Sequence, residues 1–191
     1  MRRPLGRLRI IGGEFRSRLI DFDAEAGVRP TPDRVRQTVY DWLSPIIEGS
    51  SVLDLFAGSG ALGLEAISRG ASHASFVETG GHQADAIRAA IAKLKVIERC
   101  DVVRGDGISF LRSTPKRFDL VFVDPPYDST LLASTLATLP RVLKEMNRIY
   151  LEWPKGKPPV LPAGYGMLKE KTAGQVSYGL FSYAPPGESQ S

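Results

Sequence analysis

An α/β fold is predicted: a mostly parallel seven-stranded sheet that ends in an antiparallel C-terminal hairpin, preceded by a small basic N-terminal β-hairpin. Three observations carry this reading. From residue 31 onward, short apolar runs alternate with segments of helical period, and that alternation requires crossover connections and hence parallel pairing. The last two strand-like runs are joined by a turn around Ala173-Gly174, too short for a crossover, so this pair must be antiparallel. Near the N-terminus, Leu8, Ile10 and Ile11 interleave with arginines before Gly12-Gly13, and Phe15 and Leu19 follow, a pattern that suits a small hairpin turning at the glycines.

The elements follow in order. Thr31-Pro32-Asp33 offers an N-cap, a proline at the first helical position and an acid in the first turn. Val35, Val39, Trp42 and Leu43 continue at helical spacing, giving a helix over 32–43 that stops before Pro45. Val52 to Phe56 reads as a buried strand, Ala61 to Arg69 as a helix ended by Gly70, Ala74 to Glu78 as a strand and Gln83 to Val96 as a helix. Cys100 to Arg104 and Asp119 to Val123 are strands with a short helix near Ile108 to Arg112 between them. Leu131 to Leu143 reads as a helix and Ile149 to Trp153 as a strand. A proline-rich connection then leads to the hairpin Met167 to Lys171 and Val176 to Tyr183.

At 191 residues and 42% hydrophobic composition the chain fits one domain with a short appendage. No stretch approaches the roughly 20 uncharged apolar residues of a membrane span, and no apolar segment follows Arg2 and Arg3 as in a signal peptide, so a cytoplasmic protein is expected. Cys100 is the sole cysteine, which excludes an internal disulfide and suits a structural thiol; with only His73 and His82 besides, no metal site is expected. The net charge of +4 is concentrated at one end. Residues 1–18 hold Arg2, Arg3, Arg7, Arg9, Arg16 and Arg18 against Glu14 alone, leaving the rest of the chain close to neutral. Either this run is a solvated tail, or it is a surface that grips phosphates.

The chemistry is carried by two segments. Asp54-Leu55-Phe56-Ala57-Gly58-Ser59-Gly60-Ala61-Leu62-Gly63 follows a predicted strand and opens a predicted helix. The glycines alone fit a dinucleotide loop. Asp54, however, would repel a pyrophosphate and attract an ammonium group. Glu78, at the end of the second strand, can accept both hydroxyls of a ribose. Asp106, after the third, can take a hydrogen bond from an adenine amine that Phe110 would cover. Ammonium, ribose and adenine are the parts of S-adenosylmethionine. The alternative for each acid alone is a helix N-cap or a surface charge, but three at successive strand ends coincide with where open α/β sheets bind ligands.

The second segment is Asp124-Pro125-Pro126-Tyr127, directly after a strand. An exocyclic base amine is a poor nucleophile because its lone pair is delocalised into the ring. If the Asp124 carboxylate and the Pro125 carbonyl accept its two N–H groups, the nitrogen is drawn towards tetrahedral geometry. Pro125 and Pro126 hold that carbonyl rigidly. Tyr127 can stack on the base.

These two segments resemble those of the class I amino-methyltransferases, whose Rossmann-like fold agrees with the predicted sheet. Further segments resemble, more narrowly, the bacterial 16S ribosomal RNA guanine-N2 methyltransferases of the small subunit: Arg9 to Gly13, Arg29-Pro30-Thr31-Pro32-Asp33-Arg34-Val35-Arg36, Leu53 to Ala66, and Ala173-Gly174-Gln175-Val176-Ser177-Tyr178. The resemblance implies methyl transfer from S-adenosylmethionine to the N2 amine of a guanine in 16S ribosomal RNA. Asp124, Pro125, Pro126 and Tyr127 are then the catalytic residues. Asp54, Phe56, Ala57, Gly58, Ser59, Gly60, Glu78, Asp106, Gly107, Phe110 and Thr31 bind the cofactor. Arg7, Arg9, Arg16, Arg18, Arg29 and Arg34 contact RNA. Residues 1–30 form the RNA-binding extension, 31–184 the methyltransferase domain and 185–191 a flexible tail. The partner implied is the small ribosomal subunit, met by a monomer. One departure stands out: an Asp or Asn usually follows shortly after the ribose-binding acid in that family, whereas Thr79-Gly80-Gly81 follows Glu78 here, which is expected to loosen that loop.

Three other functions fit parts of the pattern. The tetrapeptide would serve a DNA adenine or cytosine amine equally well, although so short a chain has little room for a target-recognition region. A catalytically silent ribosome-assembly factor would keep the fold and the basic arm, but it gives no reason for an intact Asp124 to Tyr127. A nicotinamide oxidoreductase accounts for the glycine loop and leaves the tetrapeptide unexplained.

Overall fold

A computed structural model describes residues 3–24, 27–126 and 129–187. Two antiparallel strands come first, β1 (Leu5–Arg9) and β2 (Leu19–Asp23). Helix α1 (Asp33–Leu43) follows, and then β3 (Ser51–Asp54), α2 (Ala61–Ser68), β4 (His73–Glu78), α3 (Gly81–Lys93), β5 (Cys100–Arg104) and α4 (Gly107–Ser113). The chain continues through β6 (Phe118–Val123), α5 (Ser129–Thr138), β7 (Leu143–Pro154), β8 (Tyr165–Ala173) and β9 (Val176–Tyr183).

The large sheet has seven strands in the order β5-β4-β3-β6-β7-β9-β8. Strands β3 to β7 are parallel, and β9 enters antiparallel between β7 and β8. The chain therefore steps outward from β3 in one direction and restarts at β6 in the other. That reversal opens a crevice at the carboxyl ends of β3 and β6, where sheets of this type bind ligands.

Each sheet face carries its own core. On one, α1, α2 and α3 pack with Phe76, Phe122, Tyr150 and Tyr178, and the hairpin adds Leu8, Ile10, Ile20 and Phe22 to the same cluster. On the other, Leu111 of α4 and Leu136 of α5 pack on Leu53, Val121, Leu151 and Phe181. Every residue of α2 is buried, the polar Glu65 and Ser68 included.

The boundaries differ from expectation where local chemistry overrides periodicity. β3 ends at Asp54 because Gly58 and Gly60 take positive φ and turn the chain, leaving Phe56 in the loop. The helix expected to reach Leu143 stops at Thr138. Pro140 cannot continue an α-helix, so a single 3-10 turn over Leu139–Val142 intervenes and β7 begins at Leu143. Helix α3 begins at Gly81 and ends at Lys93; Lys95 takes φ 59 while Leu94 and Val96 turn into the core. Thr31 does not cap α1: Pro32 is at the cap position, without a side-chain bond to the helix.

The N-terminal hairpin does not turn tightly at Gly12-Gly13. Its ladder runs from Leu5 opposite Asp23 to Arg9 opposite Leu19, leaving residues 10–18 as the link. That link is pinned to α2. The backbone N–H groups of Ile11 and Gly12 donate to the fully buried Glu65 carboxylate at 3.0 and 3.2 Å, and those of Glu14 and Phe15 donate to the Ser68 carbonyl and hydroxyl at 2.8 and 3.0 Å. A Cβ on Gly13 would sit 1.9 Å from the Ser68 oxygen, so only glycine fits this contact.

Candidate active site

The site is assembled from strand tips. Asp54 ends β3 and is buried, and its Oδ2 accepts the backbone N–H of Gly63 at 3.0 Å. It thus satisfies one of the orphan donors in the first turn of α2 from outside the helix. Gly58 and Gly60, at φ 54 and 77, carry the chain from one to the other. Burial, aided by the nearby Glu78 charge, raises the Asp54 carboxyl to about 7 although the Gly63 bond pulls it down. A carboxylate held in this way favours any cation placed beside it.

At the tip of β4, Glu78 Oε2 accepts the Gly58 N–H at 2.8 Å and Oε1 accepts the Gly80 N–H at 3.0 Å. Its loop is therefore tied down, not loosened as the glycines suggested. A Cβ on Gly81 would lie 2.8 Å from the Arg104 guanidinium, and one on Gly80 3.2 Å from the Glu78 carboxylate, so either side chain would have to shift to admit it. Beyond β5, Asp106 is exposed and caps α4, accepting the Ser109 N–H at 2.8 Å through Oδ2. Phe110 is half-buried in the same helix, and a Cβ on Gly107 would reach the ring of Phe56 at 3.2 Å. Glu78 and Asp106 are each helix or loop anchors, and each retains lone pairs for a further donor. Ala57 and Ser59 are buried within the same loop, where the Ala57 N–H donates to the Val77 carbonyl at 2.9 Å.

Asp124 leaves the tip of β6, followed by half-buried Pro125 and exposed Pro126; Tyr127 lies outside the described residues. The pairing of Val123 with Leu151 brings Asp124 alongside Glu152 on the neighbouring strand β7. Sequence reasoning missed Glu152. Its Oε1 accepts the Tyr150 hydroxyl at 2.6 Å and the Thr31 hydroxyl at 3.4 Å, so Thr31 is drawn to the acceptor end of the site. Burial pushes Asp124 well above the usual carboxylate range, and the charges of Glu152 and then Asp54 push it further. Glu152 is likewise raised by burial, against the pull of its two hydroxyl donors. The signal for Glu152 was present as an acid interrupting the apolar run Ile149 to Trp153 of a covered parallel strand, where a charge is costly without a purpose.

The arginines divide. Arg7 and Arg9 line a cleft of about 420 Å³ between the hairpin and the start of α1, together with Leu19, Pro30, Thr31 and Asp33. Arg7 also pairs with Asp21 at 3.1 Å. Arg16 and Arg18 are exposed on the link and do not line the cleft; Arg18 reaches the Lys93 carbonyl at 3.4 Å. Arg29 and Arg34 are exposed on either side of Thr31. Sequence reasoning also missed Arg36, which forms the floor of the cleft. Fully buried, it donates to the carbonyls of Thr31 at 3.0 Å and Arg9 at 2.9 Å and pairs with Asp33 at 2.6 Å, clamping the hairpin to the 29–33 segment. Cys100 has no part in this site, and burial pushes its thiol up to about 12.

A doubly wound sheet with the reversal between β3 and β6, an acid at the tip of each central strand and an antiparallel β9 define the class I methyltransferase fold. The solved structure of the Escherichia coli protein yhhF superposes with a TM-score of 0.85 at 38% identity, over 94% of this chain and 99% of that one. The chain belongs to the family described as conserved hypothetical protein 95, whose model matches residues 8–182. Among curated relatives, ribosomal RNA small subunit methyltransferase D of Escherichia coli K12 is 40% identical over 96% of this chain and 94% of that protein. The Haemophilus influenzae protein of the same name is 39% identical over 92% and 94%.

Proposed function

We propose that this protein transfers a methyl group from S-adenosylmethionine to the exocyclic N2 amine of a guanine in 16S ribosomal RNA of the small subunit. The observation that carries the reading is Asp124, half-buried beside Glu152 at the tip of β6, next to the strand that presents buried Asp54. Shielded carboxylates that pair with no cation among the described residues favour ligands that bring N–H groups or positive charge. Curated relatives covering nearly the whole chain, named for small-subunit RNA methylation, support the substrate.

The donor set fits the cofactor. Asp54 would hold its ammonium, Glu78 its ribose hydroxyls and Asp106 its adenine amine, with Phe110 covering the ring and the Phe56 to Gly60 turn giving close backbone approach. The cofactor supplies an electrophilic methyl group. The chain orients the acceptor: the Asp124 carboxylate and the Pro125 carbonyl take the two amine N–H groups, and the proton that must leave the methylated nitrogen passes to Asp124. The raised affinity of Asp124 for a proton suits it to that role. Thr31 and Glu152 fix the neighbouring wall. Arg7, Arg9, Arg29 and Arg34 surround the approach, where RNA phosphates would be met, and the enzyme would work as a cytoplasmic monomer.

The test is incubation with labelled cofactor and, separately, unmethylated small subunits, free 16S RNA and duplex DNA, followed by identification of the modified nucleoside. N2-methylguanosine is expected from the ribosomal substrates alone. N6-methyladenine or N4-methylcytosine in DNA would overturn the reading, and absence of any product together with absence of cofactor binding would favour a silent assembly factor.

A further inference from the structure

Four lysines gather around the β8 edge and the turn that follows β7. At the opposite end of the sheet Lys116 pairs with Asp101 and Lys144 with Asp119, each at 2.9 Å. Lys155, Lys157, Lys169 and Lys171 are all exposed, and among the described residues none of them makes an ion pair.

Their placement follows from register. Lys171 is opposite Tyr178, and Tyr178 is opposite Glu152; Lys169 is opposite Leu180, itself opposite Tyr150. Paired residues share a sheet face, and successive residues alternate. Lys169 and Lys171 therefore lie on the face that carries Glu152, while Glu170 points to the other. Asp124, Glu152, Tyr178 and Lys171 form a row across β6, β7, β9 and β8, so Lys171 is about 14 Å from Asp124 at the usual strand spacing. The turn bearing Lys155 and Lys157 is tied to the same end, since the Lys155 N–H donates to the Gln175 carbonyl at 2.8 Å beside the β8–β9 turn. The N-terminal hairpin is on the other side of the site: Gln83 and Lys93 of α3, which packs on β4 and β5, donate to the Asp23 and Leu19 carbonyls at 2.6 and 3.0 Å.

We propose that Lys155, Lys157, Lys169 and Lys171 form a second phosphate-binding surface, so that substrate RNA crosses the mouth of the site gripped by the hairpin on one side and by the β8 edge on the other. This rests on RNA being the substrate. Two lysines without ion pairs on one sheet face, with the intervening acid turned away and two more in the adjoining turn, match a polyanion that lies along the edge.

The test compares the intact protein with the quadruple variant Lys155→Gln, Lys157→Gln, Lys169→Gln, Lys171→Gln and with its Lys→Arg counterpart, reading affinity for 16S RNA across a salt series. Each lost phosphate contact flattens the log-log slope by about 0.7 for single strands, so the glutamine variant should lose roughly 2 to 3 units of slope and the arginine variant should keep them. Cofactor affinity and melting temperature should stay at wild-type values in both. An unchanged slope and affinity in the glutamine variant, with the wild type still strongly salt-dependent, would overturn this surface and leave the RNA reading standing. Lost affinity for assembled subunits with unchanged affinity for naked RNA would overturn it in favour of a ribosomal-protein contact. A wild type that binds RNA without salt dependence would overturn the RNA reading and this surface with it.

Discussion

Glu152 stands beside Asp124 at the tips of adjacent parallel strands, and its charge raises the carboxyl of Asp124 above what burial alone would do. An acid with a raised pKa loses its proton later as pH rises, so a step that needs the Asp124 carboxylate gains rate as pH climbs through that value. Glu152→Gln removes the charge and keeps an oxygen for the Tyr150 hydroxyl. The acid limb of the single-turnover pH profile should then move to lower pH. An unmoved limb would mean that the two carboxylates are not coupled in the working enzyme.

Asp124→Ala should lower the single-turnover rate by about 100- to 1,000-fold, the usual loss for a preorganised acceptor or donor at the reacting group. Cofactor affinity by calorimetry should remain within a few-fold, because the proposed contacts are to the acceptor amine. Tyr127→Phe should be mild and Tyr127→Ala severe, as expected of a residue that acts through its ring. Normal turnover by Asp124→Ala would eliminate the mechanism.

Asp54 gives cofactor binding a pH dependence of definite sign. Its carboxyl titrates at about 7, and an ammonium group binds the ionised form. Affinity should fall as pH drops below 7 and level off above it, with a proton released on binding near pH 6. Calorimetry in buffers of differing ionisation enthalpy measures that proton directly. Asp54→Asn should bind more weakly at pH 8 and lose the pH dependence. The same shift has a consequence for the apo protein: a raised acid stabilises the fold below its ordinary value of 3.8 and loses that contribution as pH rises towards 7.

Arg36→Met should cost about 1 to 3 kcal/mol of stability, because the Arg9 and Thr31 carbonyls lose a shared buried donor while Asp33 stays solvated. The hairpin should loosen first. Limited proteolysis within residues 10–18, more rapid than in the wild type at a temperature where the sheet is intact, would report it; wild-type protection would contradict the clamp.

Arg7→Gln with Arg9→Gln should flatten the salt dependence of RNA binding by about 1 to 1.5 units at single-strand contacts, leaving cofactor affinity unchanged. Substitution tests this better than deletion, since Leu8 and Ile10 of the same segment belong to the core. Equal slopes would assign the cleft arginines to solubility alone.

The sequence by itself determined the order of strands and helices, the antiparallel hairpin at Ala173-Gly174, and the three acids and the tetrapeptide at strand ends. These are local facts: a glycine's φ, a proline's missing N–H, an apolar period. It also located the basic charge. Only the tertiary structure decided which of these residues meet. Thr31 reads locally as a helix cap, yet its hydroxyl is drawn across the fold to Glu152. For Glu152, Glu65 and Arg36 no local pattern names the partners that lie, in turn, 121, 54 and 27 positions away. The even spread of N-terminal arginines hid a division that strand pairing made, with Arg7 and Arg9 facing the cleft and Arg16 and Arg18 outside it. The physical reason is that burial and charge coupling are set by residues distant in sequence and adjacent in space, whereas propensity and periodicity are set by neighbours along the chain.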